Sequence, residues 1–135
     1  QEIEKLAQNA YVSPPAVAQF AALAAFQPDS LEILEERRGQ FRARRNFLFS
    51  ALREIGFTLD KLPDGAFYLY AGCEAFSGDS AGFATHLLET GGVACAPGID
   101  FGEHEASRRI RFAYTRSFDD LQKGVERLRQ FCRAS

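Results

Sequence analysis

The chain has 135 residues, the size of one ordinary domain, and 46% of them are hydrophobic, enough for a core. Its net charge of −2 and sequence pI near 5.7 give no bulk field favouring nucleic acid or an anionic membrane. No apolar run approaches the roughly 20 residues of a membrane-crossing helix, and Gln1-Glu2-Ile3-Glu4-Lys5 has no signal-peptide pattern.

The N-terminal third reads as helix. Ile3, Leu6 and Ala7 stand at helical spacing, and Val12-Ser13-Pro14-Pro15 breaks the run. Ala16 to Phe26 is Ala-rich and apolar almost all round, so this helix wants cover on most sides. Gln27-Pro28-Asp29-Ser30 stops the helix and restarts the chain. A long helix from about Leu31 to Ile55 then ends at Gly56. Its Arg37, Arg42, Arg44 and Arg53 read as a solvated face balanced by Glu32, Glu35, Glu36 and Glu54 rather than as a nucleic-acid surface.

The remainder alternates strand and helix. Phe57-Thr58-Leu59 reads as a short strand and Leu62-Pro63-Asp64-Gly65 as a turn. Ala66–Ala71 reads as an aromatic strand covered on both faces. Asp79 or Ser80 caps a helix running to about Glu89, ended by Gly91 and Gly92. Val93–Ala96 and Ser107–Thr115 read as strands flanking a Pro-Gly loop, and Ser117-Phe118-Asp119-Asp120 resembles a capping box for the last helix. The expected fold is α/β, an α+β sandwich in which helices cover one face of a small mixed or antiparallel sheet. The expected division is an N-terminal helical segment, 1–29, and an α/β unit, 30–135.

Alternation puts Ile110, Phe112 and Tyr114 on one face of the last strand and Arg109, Arg111 and Ala113 on the other. An apolar face backed by guanidinium groups makes an anion-binding wall, because the planar Arg fork donates two parallel hydrogen bonds to a carboxylate. The competing role for Arg109 is an ion pair with Glu103 or Glu105. Arg108 points the other way.

Three motifs carry a resemblance. Gly65-Ala66-Phe67-Tyr68-Leu69, Val93 to Gly102, and Arg109-Ile110-Arg111-Phe112-Ala113 are similar to the Gly-x-Phe-[Tyr/Phe], gVa-x-x-PG-x-x-FG and Arg-[Ile/Leu]-Ser-[Phe/Tyr]-Ala segments of the class I/II aminotransferases. These are fold-type I enzymes dependent on pyridoxal 5'-phosphate. The resemblance implies the C-terminal small domain of such an enzyme, with Arg109 holding the substrate α-carboxylate. The family's usual Ser is Arg111 here, which makes Arg111 the reserve candidate. Phe101 and Gly102 would lie at the substrate-binding edge of the cleft. Ser13 would lie near the cofactor phosphate of a neighbouring subunit. The helix bearing Gln19 would face the large domain.

No catalytic residue is expected in this chain. Its lysines, Lys5, Lys61 and Lys123, lack the family's setting for the Schiff-base Lys, so the chain by itself is expected to be inactive. The parent would be a cytoplasmic homodimer moving an amino group between an amino acid and a 2-oxo acid. Carbon–sulfur lyases and acyl-CoA-condensing synthases of the same fold would use the same clamp. The absence of Met anywhere, with Gln1 leading, also points to a piece of a longer chain. The alternative is a free-standing, non-catalytic α/β module that binds a small carboxylate or a protein partner.

No metal site is expected, since Glu103, His104 and Glu105 are adjacent and do not converge on one ion. Nucleophilic catalysis by Cys95 with a His has no motif behind it. Cys73, Cys95 and Cys132 are odd in number and widely spaced, so they read as three reduced thiols.

Overall fold

Glu2 and Glu4 favour the start of a helix, where the macrodipole is positive. In the computed structural model, which describes residues 1–134, α1 spans Glu2–Ala10. Pro14 and Pro15 separate it from α2 (Ala16–Ala25). Neither helix contains a buried residue; Val17, Phe20, Leu23 and Phe26 are all exposed. Helix α3 (Pro28–Ile55) begins on Pro28, whose fixed φ suits a first turn, and stops at Gly56, whose φ of 119° breaks the helical path. The residues cluster into two compact units, Gln1–Gly39 and Gln40–Ser135. The division expected between residues 29 and 30 falls in the first turn of α3, and the boundary between the two units falls later in that helix.

In the second unit, β1 (Tyr68–Gly72) is followed by α4 (Ser80–His86). The Asp79 side chain caps α4, its Oδ1 accepting from Ala81 N–H at 3.1 Å. Rather than continuing as one α-helix to Glu89, the chain widens into a π-helical turn over Leu87–Gly91, ended by Gly92 at φ 64°. Then come β2 (Ala96–Pro97), β3 (Arg109–Ala113) and α5 (Phe118–Ala134). The sheet is antiparallel in the order β1-β3-β2.

The strands are shorter than expected. Val93 does not join the sheet, because its N–H still closes the π turn on Leu87 C=O at 3.4 Å. The strand expected at Phe57–Leu59 reduces to one bridge, in which Thr58 and Gly72 exchange N–H···O=C bonds of 3.0 and 2.8 Å. Among the described residues, the core covers one face of the sheet. Leu69, Ala71, Ile110 and Phe112 pack with Leu48 and Leu52 of α3, Phe83 of α4, and Leu121 to Phe131 of α5. Aromatic contacts knit this core, with Phe57 edge-on to Phe112 at 5.2 Å and Phe83 edge-on to Phe131 at 5.7 Å. On the other face Tyr68 and Tyr70 remain partly exposed, contrary to a strand covered on both sides.

Tyr114 is buried just beyond β3. Its hydroxyl donates to the carbonyls of Ala66 (3.0 Å) and Gly65 (3.3 Å), fixing the turn before β1, where Ala66 adopts a left-handed φ of 64°. Tyr114→Phe should lower stability by about 1 kcal/mol, the usual net worth of such a bond. Leu52→Ala, at a fully buried position, should cost about 2–5 kcal/mol. Urea melts of the two variants would give both values, and equal losses would refute this ordering.

Candidate functional site

The uncovered face of the sheet carries the candidate site. Register pairs Tyr70 with Arg111 and Gly72 with Arg109, so alternation brings Tyr68, Tyr70, Arg109 and Arg111 to that face. The two arginines nonetheless differ in every partner.

Arg109 is already neutralised. Its Nη2 donates to Glu105 Oε2 at 2.8 Å, and its Nη1 lies 3.8 Å from Asp60 Oδ2. That hydrogen bond and the accompanying charge hold the Glu105 carboxyl below the usual carboxylate range and raise Arg109. Of the two acids weighed as ion-pair partners for Arg109, Glu105 is in contact with it.

Arg111 has no carboxylate partner among the described residues. Its guanidinium lies over the Phe101 ring, 4.5 Å from the centroid, with Tyr68 at 5.6 Å. Its Nε is buried with no hydrogen-bond acceptor. A buried N–H without an acceptor costs roughly 1–3 kcal/mol. Arg111 lines a cavity of about 380 Å³ together with Tyr68, Tyr70, Phe101, Gly102, Glu103 and His104. Apolar rings around one unpaired cation are suited to an organic anion.

Phe101 and Gly102, singled out in the sequence, both line this cavity. Arg109 does not. Tyr68, Tyr70, Glu103 and His104 were not singled out as cavity residues. The readable signal for the tyrosines was the Tyr68-Leu69-Tyr70-Ala71 alternation, which sends both rings to the Arg face. Ser13 lies in the other unit, exposed in the turn between α1 and α2. Lys5 and Lys61 are exposed and paired with Glu2 and Asp64, Lys123 is exposed on α5, and none lines this cavity. Among the described residues no three His, Cys, Asp or Glu side chains group to hold a metal, and no helix is long and apolar enough to cross a membrane.

The fold of this chain recurs in known proteins. The sequence pattern of the aminotransferase class I and II family matches residues 1–128, and the chain belongs to that family. It is 32% identical over 126 residues to the valine–pyruvate aminotransferase of Mycobacterium tuberculosis, covering 93% of this chain and 32% of that protein. It is 38% identical over 133 residues to an aspartate aminotransferase of Bacillus subtilis, covering 93% of this chain and 32% of that one. Among solved structures, an aminotransferase from M. tuberculosis superposes with a TM-score of 0.88 at 32% identity, over 98% of this chain and 34% of that one. The chain thus spans about a third of the length of the curated relatives it matches.

The thiols are set for packing. Cys73 is buried, and Cys95 and Cys132 are partly so. Burial raises Cys73, pushes Cys95 up to about 12 and pushes Cys132 up to about 11. A raised thiol pKa leaves little thiolate, the nucleophilic form, at neutral pH. At pH 8, alkylation of Cys95 and Cys132 in the folded chain should run at least about a hundredfold slower than in urea. Mass spectrometry of iodoacetamide-treated samples would measure this, and similar rates in both states would overturn it.

Proposed function

We propose that this chain is the C-terminal, substrate-carboxylate-binding portion of an aminotransferase, and that Arg111 holds the α-carboxylate. The observation that carries the assignment is Arg111, with no carboxylate in salt-bridge contact among the described residues, in its aromatic cavity beside an Arg109 that is hydrogen-bonded to Glu105. The sequence motif favoured Arg109 for the role. Glu105 already hydrogen-bonds that guanidinium and Asp60 lies 3.8 Å from it, so a carboxylate would compete with Glu105 there, whereas Arg111 has no carboxylate in salt-bridge contact among the described residues.

The parent would transfer an amino group between an amino acid and a 2-oxo acid, working as a cytoplasmic homodimer. Pyridoxal 5'-phosphate, when bound in the parent, would supply the electron sink for breaking the bonds at the substrate Cα. In this reading the lysine that would carry it comes from outside this chain, since no lysine lines the Arg111 cavity. The chain alone is therefore inactive in this reading. Ser13, exposed between α1 and α2, remains the candidate contact to a cofactor phosphate of the neighbouring subunit.

Arg111 orients the substrate. Two parallel N–H···O bonds fix both position and rotation of a carboxylate, and so fix where the Cα–H bond points. The Phe101 and Tyr68 rings keep water from the guanidinium faces, which strengthens its attraction for the anion. The exposed apolar side chains of α2 support the reading as part of a larger protein, since a free-standing module would gain by covering them.

Two outcomes are expected. The isolated chain should bind a hydrophobic dye and scatter light as oligomers, and Phe20→Glu with Leu23→Glu should restore a monomer; a monodisperse, dye-free wild type would favour the free-standing module. In the longer natural enzyme, Arg111→Lys should lower kcat/KM about a hundredfold for every amino acid tested, because Lys cannot form the two-pronged contact. Near-normal turnover of Arg111→Lys beside a collapse of Arg109→Lys would return the role to Arg109.

A further inference from the structure

A second cavity lies on the helix side of the sheet. Its volume is about 450 Å³, within the roughly 300–1,000 Å³ of small-molecule sites. Its floor is apolar and buried, made by Leu48 of α3, Phe112 of β3, and Leu121, Val125 and Leu128 of α5. Phe112 and Arg111 are neighbours on one strand and point to opposite faces. The sheet therefore separates this cavity from the one at Arg111.

The rim is charged, and the charge is one-sided. Arg116, Lys123 and Arg127 line the cavity against a single acid, Asp120, which leaves two positive charges in excess. Among the described residues none of these three cations has a carboxylate in salt-bridge contact. Arg129 on the same helix shows the contrast, since it is paired with both Glu54 and Glu126. Arg127 is held by backbone, its Nη1 donating to Gly92 C=O at 3.4 Å where the chain turns at φ 64°. Lys123 and Arg127 stand one helical turn apart, so both reach a common head group. A further guanidinium is close by, as Arg44 donates to the carbonyl of Thr115, the residue before Arg116, at 3.4 Å. Like charges gathered this way repel, and an anion among them turns the repulsion into attraction.

Gly124 is an independent observation. It lies inside α5, where a helix disfavours glycine. Close packing does not call for it, because a Cβ there would meet no atom within 4 Å. The residue lines the cavity, so its missing side chain keeps that space open.

We propose that this cavity binds a small organic dianion with an apolar body, a phosphate monoester or a dicarboxylate. Its head lies among Arg116, Lys123 and Arg127, and its body lies on the Phe112 and Val125 floor. Two charges on the ligand match the excess on the lining, and the apolar floor rewards the body by removing it from water. The site stands across the sheet from the carboxylate site proposed above. It takes a second ligand, and it does not depend on which arginine of β3 holds the substrate.

The test uses the longer natural enzyme with its cofactor bound. Phenyl phosphate, phthalate and inorganic phosphate are each titrated by calorimetry, with hydrogen exchange reporting the place of binding. Phenyl phosphate or phthalate should slow exchange of the amides of Gly92 to Ala94 and of Leu121 to Leu128. Inorganic phosphate, which has the charge without the body, should bind at least about tenfold more weakly. Tighter binding of phenyl phosphate assigns a phosphate monoester, and tighter binding of phthalate a dicarboxylate. Lys123→Ala with Arg127→Ala should weaken binding at least about tenfold. Gly124→Leu, which favours the helix while filling the cavity, should abolish binding with turnover unchanged and the urea midpoint no lower.

Unaltered exchange at Gly92 to Ala94 with both organic anions would overturn the proposal. Binding that survives Gly124→Leu would overturn it too, by placing the ligand elsewhere. Equal affinity for inorganic phosphate and phenyl phosphate would leave an adventitious ion only.

Discussion

The second unit depends on the alternation of its central strand. Ile110 and Phe112 must enter the core, because that strand is paired on both sides and its apolar face meets three helices. Once they point inward, Arg109 and Arg111 must point outward. A one-residue slip of register would bury both guanidinium groups and expose both apolar side chains, at a cost no surface rearrangement could offset. The site is thus a by-product of core packing, and its two arginines are placed as firmly as the core itself.

That placement was legible in the sequence, because period-two alternation is a local property and Arg109-Ile110-Arg111-Phe112-Ala113 displays it without help from the rest of the chain. The helices were legible from their own local periodicity, with Gly56 ending α3, while the sequence leaves the cap of α4 between Asp79 and Ser80 and does not show its C-terminal π turn. What could not be read was which arginine is free. Glu105 lies four residues before Arg109, but that spacing has meaning only once the backbone between them is known. It is not a plain helix: Glu105 sits at positive φ, Ala106–Arg108 make one 3-10 turn, and Arg109 is already extended. Asp60 reaches Arg109 across 49 positions, and no pattern in the sequence announces it.

The strand lengths were misjudged for a related reason. Val93 and Ala94 have strand-like character, but the π-helical turn delays the chain by a fraction of a turn and keeps the Val93 amide bound to Leu87. Tyr68 and Tyr70 were taken as covered because large rings in a strand usually are. The sheet has helices on one side only, so their rings make a surface instead of a second core.

The one-sided sheet has a consequence for how such a protein can diversify. Residues that hold the fold together and residues that face the candidate site alternate along the same strands. Leu69 and Ala71 can be kept while Tyr68 and Tyr70 drift, and Ile110 can be kept while the loop over Arg111 is remodelled. Substitutions on the outward half of the strand therefore leave the core side chains in place, so the candidate site can be altered without opening a cavity in the core.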